Sequence, residues 1–167
     1  SEKMARQITS QMEEKRDMRE AMIFLQNYGI SLNLAVKIYQ EYGPRLYQII
    51  QNNPYQMADD IAGVGFRIAD EIARRVGIFT DSDFRIKSGI LYTLLQASAN
   101  GHTYLPQGEL LRNTGELLGI EVPDIEKHIM DMVIDKRLMV KEQVIGAAAG
   151  GEPVRQRMVY ASRYYYT

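Results

Sequence analysis

Cysteine is absent from the 167-residue sequence, which removes disulfides, thiolate catalysis and cysteine-bound zinc together. Histidine is scarce: His102 and His128 are too few and too far apart in sequence to suggest a metal site, so no metal is expected. No apolar run approaches the roughly 20 residues that cross a bilayer. The opening residues Ser1-Glu2-Lys3-Met4 lack the apolar core of a signal peptide. A cytoplasmic chain without membrane contact is the expectation. No Gly-x-x-x-x-Gly-Lys-Ser/Thr segment occurs, so ATP has no phosphate loop here, and no Ser/His/Asp grouping marks a nucleophile. Catalytic residues and cofactors are therefore not expected within this chain.

An excess of basic charge is missing too. The net charge is −1, which argues against a strongly basic nucleic-acid binder. The average hides an asymmetry. Residues 1–135 hold 14 Lys/Arg against 19 Asp/Glu, whereas residues 136–167 hold 6 against 2. Any phosphate attraction spread over side chains is expected in the last fifth of the chain.

What is present is a repeat. Tyr28-Gly29-Ile30-Ser31-Leu32-Asn33-Leu34-Ala35 aligns with Ala62-Gly63-Val64-Gly65-Phe66-Arg67-Ile68-Ala69, 34 residues later. Gly29/Gly63, Ala35/Ala69, Ile38/Ile72 and Gly43/Gly77 coincide, and a helix-length apolar pattern lies between the glycines in both copies. A hydrophobic residue, a Gly-x-Gly turn and an amphipathic helix make a helix-hairpin-helix. Glycine reaches positive φ readily and has no Cβ, so such a turn lets a phosphate approach the main chain. The helix behind it offers amides without intrahelical partners and a partial positive charge. Gly63, Val64, Gly65, Phe66 and Arg67 are the expected contacts, without base specificity. Gly29 and Ser31 are the corresponding candidates in the first copy. There Ser31 replaces a glycine and Asn33 the arginine, so the grip is weaker or the copy purely structural, with Ser31 suited to capping its helix. Plain helix packing is the alternative for both turns, and Asp59, Asp60, Asp70 and Glu71 outnumber the nearby arginines, so affinity from this element should be low.

The remaining pattern reads as helices to about residue 137 and strands thereafter. A charged first helix carries Met12, Met18, Met22, Phe24 and Leu25. Phe79-Thr80-Asp81-Ser82-Asp83 is a polar capping cluster and marks a boundary. Beyond it come a helix, a short extended stretch at residues 102–106, helices at 107–118 and 123–137, and two strands around a Gly/Ala connection. The expected architecture is mainly α: a tandem helix-hairpin-helix domain over residues 1–79, then a winged-helix-like α+β domain over residues 80–167. The third helix of that second domain is too acidic to read a major groove. Its hairpin is different, because Arg155, Arg157 and Arg163 lie among Tyr160, Tyr164, Tyr165 and Tyr166, which together suit a strand held by charge and stacking. Tyrosines packed on the core are the competing reading.

Asn53-Pro54-Tyr55 followed by Ile61-Ala62-Gly63-Val64-Gly65-Phe66-Arg67-Ile68-Ala69-Asp70 resembles the N-terminal region of RecD-like ATP-dependent DNA helicases, relatives of the exodeoxyribonuclease V alpha subunit. Gly101-His102-Thr103-Tyr104-Leu105-Pro106 and Arg163-Tyr164-Tyr165 are similar to later parts of that region, so the resemblance spans roughly residues 22–167. It implies a fragment that precedes a superfamily 1 core moving 5′ to 3′ on single-stranded DNA, with ATP and Mg expected only in that core. The implied partners are DNA, single-stranded or at a junction, and the helicase core itself. Helix-hairpin-helix DNA glycosylases offer an enzymatic alternative: Asp81 and Asp83 fall close to where such enzymes place an aspartate beyond the hairpin, but both sit in a capping cluster, and Lys87 is the only nearby lysine, not obviously placed as a nucleophile. A protein-interaction module without DNA contact is the other rival, using the acidic third helix or the tyrosine-rich hairpin.

Overall fold

The computed structural model describes residues 1–162; Arg163, Tyr164, Tyr165 and Tyr166, expected in a strand, lie outside the described residues. The chain divides into two compact units, Ser1–Phe79 and a second that begins at Thr80.

In the first unit, α1 (Glu2–Asn27) starts where Ser1 Oγ accepts the Met4 N–H. Only its last turns are anchored: Ala21 and Leu25 are fully buried, while Met4, Ile8 and Met12 are exposed. The expected apolar face was therefore set too far toward the N-terminus. Gly29, at φ +78°, ends α1, with its N–H donating to Gln26 O and the Ile30 N–H to Leu25 O. That is a Schellman closure, which requires a left-handed residue at this point. Then α2 (Leu32–Tyr42) runs to Gly43 and α5 (Phe66–Val76) to Gly77, the two repeated helices having 11 residues each. Between them lie a 3₁₀ turn (Gly43–Arg45), α3 (Leu46–Asn52) and α4 (Gln56–Asp60). α1 packs on α2, α2 on α3, and α3 and α4 on α5. Leu25, Ile38, Leu46, Ile50 and Met57 are fully buried at their centre, each worth about 1.5–3 kcal/mol of transfer free energy.

The second unit is α6 (Asp83–Ala99), β1 (Leu105–Pro106), α7 (Gln107–Leu118), α8 (Val122–Glu126), α9 (Ile129–Ile134), β2 (Leu138–Ala147) and β3 (Pro153–Ala161). Its antiparallel sheet has the order β1-β3-β2. Leu105 pairs with Val159, and Leu138 with Ala161, which seats the sheet on α6 and α7 through buried Leu105, Leu138, Met158 and Val159. From Lys141 to Arg155 the hairpin is exposed, and a register shift falls between Val144 and Gly146. Residues 123–137 do not form the single helix expected. The chain breaks at Lys127 and His128, where i→i+3 bonding (His128 N–H to Ile125 O, 3.0 Å) replaces the α-helical ladder. The break lets Ile125, Ile129 and Met132 all reach the core together with His128.

Candidate nucleic-acid interface

Ile61 and Val64 are buried at the two ends of the second hairpin turn, and the Val64 N–H donates to Ile61 O at 3.1 Å. Gly63 is third in this four-residue turn at φ +95°, where a Cβ is strained. Gly65 has no such requirement: at φ −89° and ψ 179° it is extended backbone that any residue adopts. Its importance lies in being the N-cap of α5, because it brings no side chain to cap the helix. The first turn of α5 therefore presents main-chain amides and the positive end of the helix dipole beside exposed Gly63, Gly65 and Arg67. Phe66, buried and stacked on Tyr55 at 5.8 Å, fixes the direction of the helix. Val64, expected among the contacts, is corrected on geometry: its amide is engaged within the turn and its side chain is buried, so it shapes the loop.

The first hairpin is built differently despite the aligned glycines. Gly29 closes α1, and the Arg75 guanidinium lies over it, 2.7 Å from the position a Cβ would take. Ser31 caps α2, its Oγ accepting the Leu34 N–H at 3.3 Å. A glycine committed to ending a helix and a serine occupied with its own amide leave this turn less able to receive a phosphate. Gly29 and Ser31 thus each have a structural task in the first turn, whereas nothing crowds the Cβ position of Gly65 and Gly63 is approached only by Lys37. One cation was not foreseen: Lys37 of α2 places Nζ 3.8 Å from the Cβ position of Gly63. It is near Gly63 only in space, and nothing in the spacing of the sequence announces it.

The acidic residues that crowd this region have other occupations. Asp60 accepts from the Tyr42 hydroxyl at 2.8 Å and from Gln56 at 3.2 Å. Burial, then the bond to Asp60, pushes the Tyr42 hydroxyl well above the usual phenol range. Asp70 accepts from the Tyr55 hydroxyl at 2.5 Å. Glu71 is held down to about 2 by hydrogen bonds from Arg74 and then Arg75. Among the described residues neither Lys37 nor Arg67 makes an ion pair. The sequence count of charges overstated the repulsion at Glu71, whose charge is paired with Arg74 and Arg75, whereas Asp60 and Asp70 accept from neutral groups and keep their charge.

A family model for the helix-hairpin-helix domain of ATP-dependent RecD2 DNA helicases matches residues 14–104. The chain belongs to this family. It carries a helicase-associated helix-hairpin-helix domain, and the matched span runs through both hairpins and α6, beyond the end of the first compact unit. No helix of the described residues is long and apolar enough to cross a membrane.

The second unit of this RecD2-type chain holds Arg155 and Arg157 on β3, opposite Val144 and Glu142. Arg155 lies 3.5 Å from Glu142, and Arg157 lines a groove with Glu126 and Glu142, so both arginines have acidic company. Tyr160 packs against Tyr104 at 5.2 Å, with the Lys141 ammonium over its ring, so its aromatic surface is already covered in part.

The fold also joins residues far apart in sequence. His128 Nδ1 lies 2.9 Å from Asp83 Oδ1, and with Asp131 these groups come within 4.8 Å of one another. The expectation that histidine spacing leaves no metal-ligating cluster was too simple. A cation is nevertheless in place, because Lys87 Nζ lies 2.9 Å from Asp83 and 3.8 Å from Asp131. The hydrogen bond to Asp83 pushes the Lys87 ammonium up, and that from Lys87 holds Asp83 down. A nucleophilic lysine needs the opposite shift, which removes the support for a glycosylase-like Lys87.

Proposed function

We propose that the first unit holds DNA backbone, without sequence preference, beside the motor of a RecD2-type helicase. The observation that carries this reading is the uncapped start of α5 at the exposed Gly63–Gly65 turn, flanked by the cations Lys37 and Arg67. Amides at Gly63, Gly65 and Arg67 supply directed donors, and the two side chains supply charge. The DNA is single-stranded or at a junction, the helicase core is the second partner, and the cytoplasm is the site of action. The second unit is taken as winged-helix-like from its element order and its hairpin, with Arg155 and Arg157 as a weaker basic element. ATP and Mg belong to the core, and no chemistry is assigned to these residues.

Fluorescence anisotropy with labelled oligonucleotides at rising salt tests the reading. Log affinity is expected to fall against log salt with a slope of about −1.4 on a single strand and about −1.8 on a duplex, for the two contacts of Lys37 and Arg67. Absence of binding to any DNA at low ionic strength would sink it. A protein-interaction role has one specific observation in its favour. Met130 and Ile134, one turn apart on α9, are 59% and 70% exposed beside a groove lined by Val133 and Val140.

A further inference from the structure

A groove of about 380 Å³ runs alongside α5 within the first unit, lined among others by Tyr28, Leu34, Arg67, Ile68, Ile72 and Arg75. Its volume falls within the roughly 300–1,000 Å³ that small ligands occupy. Ile68 is 41% exposed and offers its apolar surface to this groove. The Tyr28 ring is braced edge-on by Phe24 at 5.1 Å, so it stands as a fixed aromatic surface. Arg67 belongs both to this groove and to the first turn of α5 that receives backbone in the reading above.

We infer that this groove receives an unpaired nucleobase of single-stranded DNA whose phosphate is held at the Gly63–Gly65 turn. The inference rests on the proposed backbone contact and adds the DNA form to it. Apolar lining and an aromatic ring suit a base face, which stacks irrespective of its identity. Arg75 and Arg74 are paired with Glu71, which shares the lining with Arg75, so Arg67 is the lining cation left for a neighbouring phosphate, and planar arginine also stacks on bases. A peptide would meet Arg67 without matching charge unless acidic. Duplex DNA keeps its bases stacked and paired, and extruding one carries an unstacking penalty that a single strand avoids. Charge complementarity and shape thus favour a single strand over both.

The test is equilibrium anisotropy of the chain with three labelled probes at one ionic strength: oligothymidine, an abasic strand of equal length, and a duplex. Oligothymidine is expected to bind about tenfold more tightly than the abasic strand, the loss that one base–aromatic contact represents. Ile68→Ala is expected to bring that ratio toward one. Equal binding of the base-bearing and abasic strands would overturn the inference while leaving the backbone contact standing. Tighter binding of the duplex would overturn it as well. If none of the three probes binds, the backbone reading itself fails, a result distinct from the other two.

Discussion

Lys37 reaches from the helix of one hairpin to the turn of the other: its Nζ lies 3.8 Å from the point where Gly63 would bear a Cβ. The repeat is therefore more than two independent clamps, since the first copy lends a charge to the second. Lys37→Ala is expected to weaken DNA binding several-fold at low salt and to reduce the salt slope by about one. Lys37 is exposed, so the melting temperature should stay within the small range typical of surface substitutions. Titrations at several salt concentrations decide the matter. An unchanged slope would remove Lys37 from the contact.

Ser31 and Gly65 hold the same N-cap position in the two copies, yet only Ser31 caps its helix. Gly65 is at a backbone geometry serine accepts, and open space surrounds its Cβ position. Gly65→Ser should therefore stabilise α5 by a few tenths of a kcal/mol. The new hydroxyl would also compete with phosphate for the amides of the first turn, so DNA affinity should fall as the melting temperature rises. Calorimetry and anisotropy on the same sample test this opposition. A rise in both would show that these amides do not meet the DNA.

Gly29 and Gly63 are equivalent in the alignment and unlike in the fold. Gly29→Ala strains a left-handed helix closure and pushes on Arg75, so it is expected to destabilise the first unit by about 1 kcal/mol or more. DNA affinity of the folded fraction should change little. Urea unfolding followed by circular dichroism, with anisotropy on folded protein, separates the two effects. A binding loss larger than the stability loss would restore the first turn as a contact.

How far the sequence carried this reading can be judged from particular residues. Gly43 and Gly77 announced the ends of two equal helices, because helix termination is local chemistry, and α6 starts at Asp83 at the end of the expected polar cluster although Ser82 makes no side-chain cap there. The difference between Gly29 and Gly63 was hidden, because it depends on which side of the glycine a hydrogen bond is closed. Lys37, like the joining of Asp83, Lys87, His128 and Asp131, arises from packing between helices and has no signature in spacing. The exposure of Met12 was misjudged for a related reason: helical periodicity says which residues share a face, not whether anything covers it.

The Asp83–Lys87 pair gives the second unit a pH dependence of defined sign. Asp83 lies below its ordinary 3.8, chiefly through the hydrogen bond from Lys87, so its contribution is present above that value and lost as pH falls through the lower folded value. Lys87 lies above its ordinary 10.5, chiefly through the same bond, so its contribution holds below that value and is lost as pH rises through the higher folded one. Asp83 is half exposed, which discounts the pair to about 1 kcal/mol at neutral pH. A double-mutant cycle with Asp83→Asn and Lys87→Met, measured by urea unfolding, should show that coupling at pH 7 and a progressive decline as pH falls below 3.8. Coupling that does not decline with acidification would refute the assignment.

Glu142 offers a direct test of the β2–β3 hairpin. It lies 3.5 Å from Arg155, opposite Arg157 in the strand register, and shares a groove with Arg157 and Glu126. If DNA touches this face, the carboxylate both repels phosphate and occupies an arginine that would otherwise meet it. Glu142→Gln keeps the side-chain volume and removes the charge, so it should raise DNA affinity by a few-fold at low salt and steepen the salt slope. The exposed pair itself contributes little to folding, roughly 0–1 kcal/mol, so stability should be nearly unchanged. Arg155→Ala with Arg157→Ala should do the reverse, weakening binding and flattening the slope. The two variants together make the result decisive: opposite changes place DNA on the hairpin, whereas indifference to both confines the contact to the first unit.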